Sequence, residues 1–385
     1  MPGYELINKK DELSEIKKIF NNGSVFFRQG FDDKRNGIFK TKDFENSFCK
    51  KINTKYALAV TSGTAALRVA LASLGLKKND EVITQSFTFV ATVEAIIESG
   101  ANPVCCEIDE TLNMSPHDLE KKITKKTKAV ILVHMLGTPG DLQKIKKICK
   151  KKSLILIEDT AWGLGGKLNN KYLGTHGSIG TFSFDYAKAI TTGEGGMIVF
   201  KNKKDYIKAR AWHDHGHENN PKVPRWEDTR SSSGFNYRFT ELQAAVGIAQ
   251  LKKLSKIINL QRKNSTKIWN NLKNLKQIQL RKSPKNSYQT YDALIVRFNT
   301  KKLAIECRKE LVKNGLGTKI LPEATSWHFA GDWEHIKLSN NNKSNFSSSR
   351  KILEKHLSIP INCFMTKNTI NKIYKSIKKV LNKHG

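Results

Sequence analysis

The chain has 385 residues, a formal net charge of +32 at pH 7 and 38% hydrophobic residues, which predicts one large domain and one smaller domain with a substantial core. No apolar run approaches the roughly 20 residues of a membrane-spanning helix, and the N-terminus lacks the basic and then apolar order of a signal peptide. Six scattered cysteines without metal-ligand spacing indicate reduced thiols, no metal site and a cytoplasmic protein.

Short apolar runs alternate with helical patterns between about residues 55 and 200. The predicted strands are Tyr56–Val60, Glu81–Thr84, Pro103–Ile108, Ala129–His134 and Leu154–Glu158. The predicted helices cover residues 67–74, 116–122 and 142–149. This alternation predicts an α/β fold, with a mainly parallel sheet that carries helices on both faces.

The second part of the chain begins with a long helical pattern from Thr240 to Leu272. Residues 275–385 mix a short strand, Ala293–Phe298, with two predicted helices, Leu303–Asn314 and Thr369–Leu381. We therefore predict a large domain at residues 1–255 and a small C-terminal α+β domain at residues 256–385. The Ser-, Asn- and Lys-rich stretch at 337–349 predicts a mobile loop.

Two side chains at predicted strand ends indicate the chemistry. Asp159 lies at the carboxyl end of a buried-strand pattern, and Lys188 follows another apolar run just before a glycine-rich turn. Ligands of parallel α/β sheets gather at the carboxyl ends of the strands. A lysine amine and a fixed carboxylate placed there are what pyridoxal phosphate (PLP) requires, because the amine forms a Schiff base and the acid keeps the ring nitrogen protonated.

Other residues could hold the phosphate and the ring of that cofactor. The run Thr61–Ala66 places hydroxyls and a glycine at a predicted helix N-terminus, where free N–H groups and the helix dipole favour an anion, and Ser183 could reach the same phosphate. Phe89 is a candidate to stack on a pyridine ring. Each feature alone also has a structural interpretation, as a helix cap or as a core phenylalanine.

Taken together, these segments resemble the DegT/DnrJ/EryC1/StrS sugar aminotransferases, PLP enzymes of the aspartate-aminotransferase fold (type I). The resemblance covers nearly the whole chain. Its motifs are Ser-Gly-Thr-Ala-Ala-Leu at 62–67, Thr-Phe-Val-Ala-Thr at 88–92, Glu-Asp at 158–159, Ser-Phe at 183–184 before Lys188, Gly-Glu-Gly-Gly at 193–196, Gly-Phe-Asn-Tyr-Arg at 234–238, Gln-Ala-Ala at 243–245 and Ser-Ile-Pro at 358–360.

The resemblance implies a role for each site residue. Lys188 would bind the cofactor covalently and move protons, and Asp159 would bond the ring nitrogen. The remaining cofactor-binding residues would be Ser62, Gly63, Thr64 and Ser183 at the phosphate, Phe89 on the ring, Trp162, and Asn236, which would reach the phosphate in the neighbouring subunit of a homodimer. Trp162 departs from the glutamine or histidine usual beside the cofactor's phenolic oxygen, since an indole donates a hydrogen bond but accepts none.

The implied function is transfer of an amino group, from L-glutamate, to a keto or aldehyde sugar for surface polysaccharide synthesis. Several segments resemble the branch of the family that aminates 8-oxo-3,8-dideoxy-octulosonate: residues 1–6, Phe184-Asp185, Asp214–His217, and Trp327-His328 with Trp333. A nucleotide-linked keto sugar is the other candidate. Sugar 3-dehydratases of the same family carry histidine at the position of Lys188, so lysine favours transamination.

Two alternatives remain open from the sequence. The first is a PLP-dependent sugar dehydratase. The second is a non-catalytic basic protein that binds nucleic acid, which the net charge motivates; lysines spread over helix surfaces without interleaved aromatic residues favour the simpler explanation of a generally basic surface. His134 is either a site residue or a core histidine, and Asp214–His217 is either a substrate-side loop or a plain surface loop. Arg238 is a candidate contact for an anionic sugar.

Overall fold

A computed structural model describes residues 2–323, 325–336, 338 and 346–384. Most of the predicted mobile loop at 337–349 lies outside the described residues, and Ser347–Ser349 begin a helix. The α-helices, in chain order, are α1 Pro2–Glu5, α2 Asp11–Phe20, α3 Lys40–Ile52, α4 Gly63–Ser73, α5 Ala91–Glu98, α6 Pro116–Lys122, α7 Leu142–Lys151, α8 Lys203–Trp212, α9 Glu241–Leu272, α10 Lys301–Lys313, α11 Ser347–Leu353 and α12 Lys367–Leu381.

Among the residues that the structure describes, the strands form three sheets. The strands are β1 Tyr56–Val60, β2 Glu81–Gln85, β3 Asn102–Cys106, β4 Thr127–Val133, β5 Ile155–Asp159, β6 Lys167–Leu168, β7 Lys171–Tyr172, β8 Ile179–Ser183, β9 Gly196–Phe200, β10 Ile278–Leu280, β11 Ser287–Tyr288, β12 Ala293–Phe298 and β13 His356–Pro360.

The central sheet has seven strands in the order β1-β9-β8-β5-β4-β2-β3. The pairs β3–β2, β2–β4, β4–β5 and β5–β8 are parallel, which confirms the predicted mainly parallel α/β fold. Strand β9 is antiparallel to both of its neighbours, because the chain returns from β8 to β9 through a loop without a crossover helix. That loop contains Lys188.

Apolar side chains cover both faces of this sheet. One cluster packs α4, α5 and α8 against the strands, around Leu58, Val69 and Ile157. On the other face, α3 and α9 pack around Phe44, Phe48 and Phe182. All six of these side chains are at most 1% exposed, so the central strands are buried on both faces.

Helix α9 has 32 residues and begins with a capping box, in which Thr240 and Gln243 satisfy each other's backbone N–H groups. Its last turns pack against a C-terminal layer in which the antiparallel sheet β10-β12-β13 is covered by α10 and α12. The helix runs through residues 255 and 256, so the domain boundary proposed there stays a prediction.

Candidate active site

One cavity of about 360 Å³ opens at the carboxyl ends of the parallel strands, a volume typical of small-molecule sites. Its lining includes all but one of the residues that the sequence singled out for a cofactor: Ser62, Gly63, Thr64, Phe89, Asp159, Trp162, Ser183 and Lys188. Residues more than 100 positions apart in the chain therefore meet at one place.

Asp159 is the last residue of β5 and is 5% exposed. Its Oδ1 accepts a hydrogen bond from the backbone N–H of Ala161 at 3.1 Å, and its Oδ2 accepts one from the Thr92 hydroxyl at 3.0 Å. Burial raises the pKa of Asp159 above its ordinary value, while these two donors and the positive charge of Lys188 oppose that shift. A cationic N–H donor placed in the cavity would favour the ionised carboxylate in the same way.

Lys188 lies in the loop between β8 and β9. Its backbone N–H donates to the carbonyl of Asp185 within the same loop at 3.0 Å, and its carbonyl accepts from the N–H of Gly3 at 3.1 Å, which ties the loop to the N-terminal segment. The Nζ atom lies 3.5 Å from the centre of the Trp162 ring, within the range of a cation–π contact. Burial, helped by the nearby charge of Lys319, lowers the pKa of Lys188 to about 8, so an appreciable fraction of the amine is unprotonated and nucleophilic near neutral pH.

The N-terminus of α4 forms the other end of the cavity. Ser62 caps this helix by accepting a hydrogen bond from Ala65 at 3.0 Å, and the first helical residue is Gly63. A Cβ at Gly63 would lie 2.8 Å from Cβ of Ser183 and 3.0 Å from its Oγ. Only glycine therefore lets the helix N-terminus approach β8 this closely, so the start of α4 and the Ser183 side chain lie next to each other in the cavity lining.

An aromatic wall closes the cavity on a third side. Phe89 is 37% exposed, and its ring lies 6.3 Å from Trp327 at an interplanar angle of 10° and 5.3 Å from His328. The backbone of the Trp327-His328 segment is fixed on residues 88–90, since Thr88 donates to the carbonyl of His328 and Val90 to that of Trp327, both at 2.9 Å. Burial and the charges of Lys188 and Lys319 lower the pKa of His328 to about 4, so its ring is neutral at pH 7.

Thr92 and His328 line the cavity although the sequence analysis gave neither of them a role in the site. Thr92 lies within the Thr-Phe-Val-Ala-Thr motif, so the signal was present, but the sequence does not show that its hydroxyl meets Asp159. His328 was noted only as part of a family-branch segment, and the structure adds it to the cavity lining.

Three other residues that the sequence singled out, Asn236, Arg238 and Asp214, do not line the cavity. Asn236 is exposed, and its Oδ1 accepts from the backbone N–H of Arg238 at 3.3 Å. Arg238 in turn donates to the fully buried carboxylate of Asp214 at 2.6 Å, and Arg225 binds the same carboxylate. These arginines hold the pKa of Asp214 well below its usual range, although burial opposes them.

His134 is a core histidine. It is fully buried, its Nε2 donates to Glu158 at 3.0 Å, and its Nδ1 faces the backbone N–H of Gly140 at 3.4 Å. Of the two interpretations of His134, the structure favours the structural one.

Neither a membrane-spanning helix nor a metal-binding group of side chains occurs among the described residues. No helix there is both long and apolar enough to cross a bilayer. Within the same ranges, no group of three or more His, Cys, Asp or Glu side chains is arranged to hold a metal ion.

The cavity fits PLP in the chemistry of its donors. A nucleophilic amine and a buried carboxylate line it together, a glycine that tolerates no Cβ opens a helix N-terminus for a phosphate, and an aromatic face is available for a ring. Each of these features is carried by a different element, and all are satisfied by one flat, anionic, aldehyde-bearing ligand.

Comparison with known proteins agrees with this assignment. The chain is 39% identical over 279 residues to the GDP-perosamine synthase of Escherichia coli O157:H7, covering 72% of this chain and 73% of that protein. It is 37% identical over 275 residues to the GDP-perosamine synthase of Vibrio cholerae, covering 68% of each. The structure superposes on an aminotransferase from Psychrobacter cryohalolentis with a TM-score of 0.86, at 25% identity and 99% coverage of both chains.

The profile of one family matches residues 34–378, which is most of the chain. The chain therefore belongs to the DegT/DnrJ/EryC1/StrS aminotransferase family and is a PLP-dependent sugar aminotransferase.

Proposed function

We propose that this chain binds PLP in the cavity and uses it to transfer an amino group from L-glutamate to a keto or aldehyde sugar. The observation that carries the proposal is that the Lys188 amine and the Asp159 carboxylate line one cavity with the N-terminus of α4. When bound, PLP supplies an aldehyde that an amine can capture and a ring that withdraws electrons from the reacting carbon.

Each residue of the cavity would have its own role in binding the cofactor or in the reaction. Lys188 would attach the cofactor and then, as a free amine, remove and return a proton at the reacting carbon. Asp159, held by Thr92 and Ala161, would accept a hydrogen bond from the ring nitrogen and stabilise its positive charge. Ser62, Gly63, Thr64 and Ser183 would hold the phosphate, Phe89 would pack on the ring, and Trp162 would border the amine.

We infer two sugar classes, and each has its own support. The relatives named GDP-perosamine synthase favour a nucleotide-linked keto sugar. The segments around Asp185, Asp214 and Trp327 favour 8-oxo-3,8-dideoxy-octulosonate. Either product would serve surface polysaccharide synthesis in the cytoplasm.

We also infer a homodimer with shared active sites. Asn236 is exposed and lies outside the lining of its own chain's cavity, which leaves it available to a neighbouring subunit. Size measurement by light scattering tests the dimer. Binding of PLP to an Asn236→Ala variant tests whether this residue contributes to the phosphate site.

Trapping the cofactor tests the proposal directly. Purified protein mixed with PLP should gain a near-ultraviolet to visible absorbance band, and borohydride reduction should leave the added mass on the peptide that contains Lys188. Lys188→Ala should lose both signals, whereas Lys150→Ala, which removes an exposed lysine of α7, should retain both. Added mass on other lysines alone would reject the proposal.

A substrate panel distinguishes transamination from dehydration. Aminotransferase activity requires that 2-oxoglutarate appears from L-glutamate in step with an aminated sugar, read by mass. Loss of water from the sugar without that replacement would favour the dehydratase. For the nucleic-acid alternative, binding that is non-specific and falls steeply with salt would indicate surface charge alone.

A further inference from the structure

A second lysine lies beside the reacting amine. Its Nζ is 4.4 Å from the centre of the Trp162 ring, while the Nζ of Lys188 is 3.5 Å from the same centre. This second lysine, Lys319, lies in the C-terminal part of the chain, 131 positions from Lys188, and no sequence motif pointed to it. One indole therefore lies against two ammonium groups from different parts of the protein.

Lys319 carries its own counter-ion. Its ammonium forms an ion pair with Asp292, whose side chain is 8% exposed, compared with 21% for Lys319. Both residues are fixed on the C-terminal sheet: the N–H of Lys319 donates to the carbonyl of Ser358 in β13 at 2.9 Å, and the carbonyl of Asp292, just before β12, accepts from Ile361 at 3.2 Å. Backbone hydrogen bonds therefore tie both members of the pair to that sheet.

The two ammonium groups affect each other because both lie against the Trp162 ring, at 3.5 Å and 4.4 Å from its centre, so their separation cannot exceed the sum of these two distances. Like charges within a few ångströms disfavour each other, and the effect is stronger where the effective dielectric constant is low. Since Lys319 is compensated by Asp292, Lys188 is the group that relieves the repulsion by losing its proton. Asp292 acts on Lys188 in the opposite sense, because a carboxylate favours the ammonium form.

Other titratable groups also surround Lys188 and contribute to its electrostatic environment. Asp185 and Glu194 belong to its own loop, Asp159 ends the neighbouring strand β5, and His328 comes from the aromatic wall. Burial is the largest influence that lowers the pKa of Lys188, Asp292 is the strongest of the charges acting on it, and Lys319 comes next.

We propose that Lys319 and Asp292 are positioning residues that set the charge of the Lys188 amine in opposite senses, with Lys319 disfavouring the ammonium form across the shared indole and Asp292 favouring it. The proposal depends on the proposed function only in identifying Lys188 as the reacting amine. Neither residue lines the cavity, so both act through Lys188 and not on the substrate.

Competitive labelling of the cofactor-free protein tests the proposal without any turnover. Trace acetylation across a pH series, read by mass spectrometry on the peptide that contains Lys188, gives the midpoint at which this amine becomes reactive. The wild-type midpoint is expected near pH 8. Lys319→Met should raise it by about one pH unit, and Asp292→Asn should lower it by a similar amount.

Opposite shifts are the signature, since a merely structural role would not produce them. Lys319→Arg keeps the cation and should leave the midpoint unchanged, and the double variant Lys319→Met/Asp292→Asn should return toward the wild-type value. The proposal is overturned if both single variants leave the midpoint in place or move it in the same direction. If either single variant does not fold, the double variant and Lys319→Gln supply the comparison.

The same data separate this proposal from the proposed function. A protein that never binds PLP would reject the proposed function, yet its Lys188 labelling curve could still show the opposite shifts. Conversely, normal PLP trapping at Lys188 together with unmoved midpoints would reject the pair's role alone.

Discussion

The hydroxyl of Thr92 donates to Oδ2 of Asp159 across 3.0 Å, inside a region where Thr92 is 1% and Asp159 5% exposed. Burial favours the neutral acid, whereas this hydrogen bond and the one from Ala161 favour the carboxylate. Thr92 therefore helps to decide whether the acid at the end of β5 is charged when a ring nitrogen meets it.

In a Thr92→Val variant, the loss of PLP affinity that occurs as pH falls should begin at a higher pH than in the wild type. The folded-state pKa of Asp159 is already raised, and losing a hydrogen bond to a charged group, which contributes roughly 1.5–3 kcal/mol, raises it further. Because binding requires the carboxylate, affinity is lost as pH falls through this pKa, and the variant should lose it earlier. The measurement is the PLP dissociation constant as a function of pH.

The matched control for that experiment is Thr92→Ser, which keeps the hydroxyl and should keep the wild-type pH profile. If the valine variant titrates like wild type, Thr92 has no influence on the charge of Asp159.

Adding one methyl group at Gly63 should weaken PLP binding strongly. A Cβ there would lie 2.8 Å from Cβ of Ser183, which is too close, so α4 would have to move away from β8 and the phosphate position would be lost. We expect at least a tenfold weaker affinity for Gly63→Ala, about 1.4 kcal/mol or more, measured by absorbance titration. Gly317→Ala is the control, since a Cβ there meets nothing within 4 Å. Equal affinities for the two variants would contradict the close-approach argument.

Glu158→Gln should destabilise the fold without altering a cavity-lining side chain. Glu158 is fully buried and accepts hydrogen bonds from the N–H groups of Gly174 at 2.9 Å and of His176 and Gly177 at 2.6 Å, as well as from His134. Burial alone would raise its pKa, but these donors outweigh burial and lower it. An amide would turn an NH₂ group toward backbone donors, so we expect a loss of about 3 kcal/mol in the free energy of unfolding.

The pH dependence gives that prediction a second readout. Because the folded-state pKa of Glu158 is depressed, its contribution is present above the unfolded-state pKa and is lost as pH falls through the folded-state value. Denaturant unfolding at neutral and acidic pH should therefore show a smaller difference between wild type and Glu158→Gln in acid. Glu120→Gln on the exposed side of α6 should change neither curve, and a difference that grows in acid would refute the assignment.

Phe89→Leu should lower PLP affinity modestly. Loss of an offset aromatic contact removes about 0.5–1.5 kcal/mol beyond area burial, which corresponds to a roughly two- to tenfold larger dissociation constant. Phe364→Leu, which truncates another exposed phenylalanine, serves as the control in the same titration. An unchanged affinity for Phe89→Leu would remove this residue from the ring site.

The sequence predicted most accurately the bounds of those helices and strands that have recognisable start or stop residues at their ends. Helix α6 begins where expected because Ser115 caps it and Pro116 occupies its first turn. Strand β1 has the predicted bounds because its apolar run, Tyr56–Val60, is flanked by polar residues on both sides. The direction of β9 was not predictable from its residues, since Gly196–Phe200 would read the same as a parallel or an antiparallel strand.

The same contrast applies to the site. Asp159 ends β5, Lys188 follows β8 and Ser62 caps α4. Because these positions all belong to one edge of the sheet, the topology alone predicts that the three residues converge. The approach of Lys319 and Asp292 to Trp162 depends on how the C-terminal sheet packs against the central one, and no spacing along the chain records that distance. Long-range packing, not local preference, decides such contacts.

Placement of the Lys188 amine against the Trp162 indole has an optical consequence. Any molecule that binds covalently to this amine must lie beside the Trp162 indole, which is fluorescent. If that molecule absorbs near the emission of tryptophan, its binding should quench the Trp162 fluorescence by energy transfer. Five other tryptophans contribute to the total signal, and a Trp162→Phe variant isolates the responsive component. The protein thus contains a native reporter with which arrival and departure at this amine can be timed without any added dye.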